Sequence, residues 1–146
     1  MHPRFAFRAH DGSYVCAEGG GGREVVANRP AVGPWETFVV IPLPNDFVGL
    51  MVANGQYVCA EGGGGREVVA NRGEIGPWET FSWVWLEGGT QRGGTPAEGD
   101  IGRTFALMAS NGQFVCAEGG GGGAVVANRH EPGPWETFTT VAPPAG

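Results

Sequence analysis

One sixteen-residue segment occurs three times in this chain, and that repetition restricts what the chain can fold into. Tyr14 to Arg29 reads YVCAEGGGGREVVANR, and Tyr57 to Arg72 repeats it letter for letter. Phe114 to Arg129 reads FVCAEGGGGGAVVANR, with three changes. A GPWETF box follows each copy, at Gly33–Phe38, Gly76–Phe81 and Gly133–Phe138. A turn dipeptide precedes each: Asp11-Gly12, Asn54-Gly55 or Asn111-Gly112. Self-similarity at a fixed period marks an architecture built by repetition of one unit. Trp35, Trp78 and Trp135 are 43 and 57 residues apart, and the extra 14 residues fall at about 87–103, a Gly-rich surface insertion.

Each copy reads as four short strands. The first is Phe5–Ala9, Leu50–Ala53 or Phe105–Ala109. Asp-Gly or Asn-Gly then gives the strongest short-range hairpin signal. The YVCAE segment is the second strand, and the glycine run turns it back into VVAN, the third. A Pro/Gly loop leads to the fourth, which is expected to begin at WETF. With 28 glycines, 11 prolines and no apolar spacing at the helical period, a helical protein is excluded. Blades of a propeller usually number about 4–8. Three copies instead close as a β-trefoil: all-β, four strands per repeat, threefold pseudosymmetry. The expectation is one domain over 1–146, with repeats at about 4–45, 46–86 and 104–143.

Net charge is −6, with no Lys/Arg cluster. Phosphate contacts dominate nucleic-acid affinity, so nucleic acid is an unfavoured partner, as are anionic membranes and sulfated polysaccharides. No apolar run approaches the ~20 residues of a membrane span. MHPRFAFRAHDG lacks the apolar core and cleavage site of a signal peptide, which suits either a cytoplasmic chain or an excised module of a secreted protein.

The boxes NGQYVCAEGGGG, VVANR and GPWETF resemble fascin-like β-trefoil repeats, and most of all the trefoils of carbohydrate-binding module family 92. The resemblance spans the chain except 87–103, while the Gln-x-Trp signature of ricin-type trefoil lectins is absent. It implies a binder of neutral β-glucan with one site per repeat.

The residues themselves nominate the same chemistry. Strand alternation from the core-facing Phe38, Phe81 and Phe138 turns Trp35, Trp78 and Trp135 outward. A flat indole can pack on the C–H face of a sugar; the rival reading folds each Trp over its own glycine hairpin. Glu18, Glu61 and Glu118 can accept hydrogen bonds from vicinal hydroxyls, and Asn28, Asn71 and Asn128 can donate and accept. The rival role for both is closure of the hairpin. Glu36, Glu79 and Glu136 share the face of the buried Phe and are expected to bond backbone. Arg29, Arg72 and Arg129 read as structural partners of glutamate, and Arg23-Glu24 and Arg66-Glu67 as solvated hairpin tips. Cys16, Cys59 and Cys116 read as free, buried filler, with no metal and no cofactor implied. Trp83 and Trp85, unique to the second copy, read as core or as a cover for the barrel bottom.

Glu18 and Glu36 recur together, which raises a glycosidase reading, but three identical active sites on one small domain are disfavoured. A monomeric, non-catalytic, multivalent sugar binder is therefore the expected function. The alternative is a fascin-like, actin-type protein scaffold.

Overall fold

The computed structural model describes residues 2–87 and 90–144. Its strands are β1 (Arg4–Arg8), β2 (Tyr14–Ala17), β3 (Val25–Arg29), β4 (Phe38–Pro42), β5 (Phe47–Met51), β6 (Tyr57–Ala60), β7 (Val68–Arg72), β8 (Phe81–Glu87), β9 (Thr90–Gly93), β10 (Thr104–Met108), β11 (Phe114–Ala117), β12 (Gly123–Arg129) and β13 (Phe138–Val141). Setting β9 aside, each repeat supplies four.

The pairing defines two layers. Strands β1, β4, β5, β8, β10 and β13 pair in a closed ring, which β1 and β13 complete through Ala6↔Val141 and Phe7↔Thr140. The hairpins β2–β3, β6–β7 and β11–β12 cap one end of this barrel. They join one another in a cycle, through Glu24↔Val69, Glu67↔Val126 and Ala124↔Val26. A six-stranded barrel closed by three hairpins is a β-trefoil. Closure removes exposed sheet edges that would otherwise template aggregation.

Apolar residues from all three repeats fill the barrel. Phe38, Phe81 and Phe138 are buried, as expected, and Phe7 stacks on Phe38 at 4.9 Å. Threefold symmetry is broken where Trp83 of the second repeat occupies the position held by Val40 and Thr140 in the others, all three buried. Trp83 stacks on Phe105 at 3.9 Å, and Trp85 is also buried, so both belong to the core.

Three boundaries differ from the sequence reading. The first strands begin earlier than expected, with β5 starting at Phe47 rather than Leu50. The 87–103 insertion is more than a surface loop, because β9 extends the sheet by pairing with β8. It is then tied down where the Arg103 guanidinium lies 4.3 Å over the Trp85 ring and bonds Asp100 at 2.6 Å. Gly88 and Gly89 of the insertion lie outside the described residues. Finally, the fourth strand begins at Phe38, Phe81 or Phe138, not at the tryptophan.

Candidate functional site

Pro34–Glu36, Pro77–Glu79 and Pro134–Glu136 each form a single tight 3₁₀ turn. Proline presets the first backbone angle, and the glutamate three residues after the glycine reaches back to cap the turn. Gly33 N–H donates to Glu36 Oε1 at 2.7 Å, and Thr37 Oγ1 donates to the Gly33 carbonyl at 2.9 Å. Glu36, Glu79 and Glu136 are accordingly buried and bonded to backbone, as the sequence implied.

The strand-parity argument for the tryptophans does not hold, since they lie in this turn and not in a strand. They are nevertheless exposed, at 43%, 44% and 40% for Trp35, Trp78 and Trp135. The turn supplies the exposure, and the glycine hairpin supplies the support. A Cβ built on Gly20 would stand 3.0 Å from Trp35 Nε1, so the nitrogen-bearing edge of the indole rests on that glycine. Gly63 and Gly120 support Trp78 and Trp135 in the same way. Both sequence readings thus describe part of the side chain: one edge packs on the repeat's own hairpin, and the rest faces outward.

Glu18, Glu61 and Glu118 open short turns, Glu18–Gly20, Glu61–Gly63 and Glu118–Gly120, that pack against the Pro-Trp-Glu turns. One oxygen of each carboxylate is taken by arginine. Arg29 Nη2 donates to Glu18 Oε1, with the equivalent Arg72–Glu61 and Arg129–Glu118 bonds at 2.6 and 2.7 Å. Arg29 Nε also lies 3.8 Å from Glu36 Oε2, and Arg29 Nη1 donates to Asn28 Oδ1. A single guanidinium therefore gathers Glu18, Asn28 and Glu36 in each repeat, using the fork geometry that suits arginine to carboxylates. The glutamate side chains stay partly open, at 22% for Glu18 and 40% for Glu118. Asn28 and Asn71 are exposed and Asn128 half-buried.

Beneath this cluster Cys16, Cys59 and Cys116 are free and wholly buried. Burial, reinforced by the neighbouring Glu36, Glu79 or Glu136 carboxylate, pushes each thiol up to about 12. Such a thiol is neither nucleophile nor metal ligand at neutral pH. Among the described residues no cluster of His, Cys, Asp and Glu could hold a metal ion. Arg23 and Glu24 are exposed at the hairpin tip, 3.6 Å apart.

Linear order hides that the surroundings of each tryptophan are built by two repeats. Asn54 N–H donates to the Gly20 carbonyl at 2.9 Å, Asn111 N–H to Gly63 at 2.9 Å, and Asp11 N–H to Gly120 at 2.8 Å. The turn of the following repeat thus forms one wall beside each tryptophan, and the first repeat closes the cycle on the third. The near-identity of the three Asx-Gly turns was the available signal, but nothing in linear spacing says which repeat a turn will touch.

No family profile matches the chain, and no curated protein sequence does. Among solved structures it is similar to a designed threefold-symmetric protein, ThreeFoil, at 15% identity and TM-score 0.77, covering 95% of this chain and 98% of that one. A ricin B-like lectin of Macrolepiota procera, solved in complex with lactose, aligns at 16% identity and TM-score 0.71, over 98% and 97%. The Rhizoctonia solani agglutinin aligns at 12% identity and TM-score 0.73, over 97% and 95%. At these identities the likeness establishes the β-trefoil fold.

Proposed function

We infer that the chain is a non-catalytic, multivalent carbohydrate-binding module for neutral β-glucan of β-1,3 or β-1,6 linkage, acting as a monomer with one site at each repeat. The observation that carries this reading is the triple recurrence of an exposed tryptophan beside a partly open carboxylate. An indole has a large apolar face and one polar N–H, which suits it to surfaces that are apolar on one side and wet on the other. An aromatic plane for C–H groups and a carboxylate for hydroxyls is a complete recognition set for a sugar ring. Resemblance to carbohydrate-binding module family 92 points the same way, as does lactose binding by the Macrolepiota procera lectin of like fold.

The geometry speaks against hydrolysis. A glycosidase needs two carboxyl groups facing each other across the scissile bond, about 5–9.5 Å apart with substrate between them. Here Arg29 sits between Glu18 and Glu36, and the same holds at Arg72 and Arg129. Three weak sites on one rigid body give a polymer ligand an avidity gain of roughly 10²–10⁴ over a single site. Calorimetric titration with a short β-1,3- or β-1,6-linked gluco-oligosaccharide tests the reading. A stoichiometry near three supports it, and no binding to either series overturns it; new reducing ends from the bound glucan would overturn the non-catalytic part.

A further inference from the structure

The second residue after each first strand stands beside the nitrogen edge of the preceding repeat's tryptophan, and it differs at every junction. A point above Gly120 lies 3.2 Å from Trp135 Nε1 and 3.3 Å from His10 Cδ2. The equivalent point above Gly63 lies 3.3 Å from Trp78 Nε1 and 3.0 Å from Ser110 Oγ. Above Gly20 the neighbours are Trp35 Nε1 at 3.0 Å and Ala53 Cβ at 3.7 Å. His10, Ser110 and Ala53 are all exposed. They differ where two repeats meet an indole, next to a turn that also varies, Asp11 standing where the other repeats have Asn54 and Asn111.

We propose that these three residues rank the sites, with Trp135–His10 the strongest, Trp78–Ser110 intermediate and Trp35–Ala53 the weakest. The ranking rests on the platform reading of the tryptophans. Imidazole offers a sugar hydroxyl either a donor or an acceptor, and a second flat face. Ser110 Oγ already donates to the Gly63 carbonyl at 3.3 Å, which leaves it only as an acceptor. Ala53 offers no polar atom beyond its backbone. The surroundings of His10 and Ser110 differ in charge. His10 lines a groove between repeats together with Arg8, Thr137 and Thr139, whereas the groove at Ser110 has Met108, Thr80 and Ser82 at the matching positions. Both grooves carry hydroxyls, so what distinguishes the His10 side for a second sugar unit is the imidazole and the charge of Arg8.

Single-site proteins test this. With Trp35→Ala and Trp78→Ala combined, only the Trp135 site remains; with Trp78→Ala and Trp135→Ala, only the Trp35 site remains. Each is titrated with β-1,6- and β-1,3-linked gluco-oligosaccharides of two to four units, after a thermal melt confirms folding. In the first background His10→Ala is expected to weaken binding about three- to tenfold, the worth of one neutral hydrogen bond. In the second, Ala53→His is expected to tighten it by a similar factor. Unchanged affinity in both overturns the ranking while leaving the platforms in place. Failure of the parent protein to bind either series overturns both.

Discussion

Asn54 of the second repeat presses on Gly21 of the first so closely that a Cβ on the glycine would stand 2.2 Å from Asn54 Oδ1. Asn111 meets Gly64 and Asp11 meets Gly121 in the same way, at 2.0 and 1.9 Å. The glycine runs are thus sockets for the neighbouring repeat's turn. That turn is itself held, because Asn54 Oδ1 accepts from Gln56 N–H at 2.9 Å. Gly21 also has φ +134, a conformation closed to L side chains, and Gly64 and Gly121 match it.

Alanine at Gly21, Gly64 or Gly121 is therefore expected to destabilise the fold by about 1–3 kcal/mol each, from backbone strain and displacement of the facing turn. Gly12→Ala is the comparison, since a Cβ there meets nothing within 4 Å, although its φ of +92 is also unfavourable. Denaturant melts of the variants measure the difference, and the socket glycines should lose more than Gly12.

Arg29, Arg72 and Arg129 should prove structural. Arg29→Ala leaves buried Glu36 its Gly33 N–H bond but takes the guanidinium away from Glu36, Glu18 and Asn28. A loss of about 1–3 kcal/mol is expected for hydrogen bonds to charged groups. Arg29→Lys should recover part of it, because an ammonium cannot bridge three partners as the guanidinium does. Urea unfolding of both variants checks the order.

The buried thiols give an alkaline limit to stability. Each cysteine's pKa is raised on folding from 9.0 to about 12, so the unfolded chain ionises first as pH rises. The stability each contributes is full below about pH 9 and is lost as pH climbs toward 12. Melting temperature should fall across that window, and the fall should shrink when Cys16, Cys59 and Cys116 are together replaced by alanine. At neutral pH all three thiols should resist alkylation until the chain unfolds.

Much of the fold was legible because periodic residues carry backbone information. Asp11-Gly12 and its equivalents marked the hairpins, the glycine runs marked the reversals, and three copies implied closure. Phe38 and Cys16 read as core from alternation and residue type, whereas Trp83 read as core or barrel cover, and its burial and stacking on Phe105 decide for the core. The error at Trp35 has a specific cause. Gly-Pro-Trp-Glu carries the spacing of a capped turn, with proline first and a glutamate three residues after the glycine, yet the apolar run that follows favoured reading it as strand. Exposure of the indole survived this error because a turn and an outward strand position both face solvent. That Arg29 takes Glu18 was not legible from hairpin register, which sets Tyr14 against Arg29 and Ala17 against Val25 and so puts Glu18 at the opposite end of the strand pair. His10 beside Trp135 was illegible, because it joins the first repeat to the last across 125 residues of chain and depends on barrel closure.

The central claim is that three tryptophans serve as sugar platforms, and single Trp→Ala variants at 35, 78 and 135 test it most directly. Each variant is melted and then titrated with a β-linked gluco-oligosaccharide. These side chains are about two-fifths exposed but rest one edge on the glycine hairpin, so truncation should lower the melting temperature while leaving the chain folded for titration. Removing a platform should cost on the order of 1–3 kcal/mol at that site, by analogy with aromatic stacking of nucleic-acid bases. Each variant should show one fewer site per chain, with the other two sites unaltered. A variant that melts early yet keeps full stoichiometry would contradict this and reduce the tryptophans to props for the glycine hairpins.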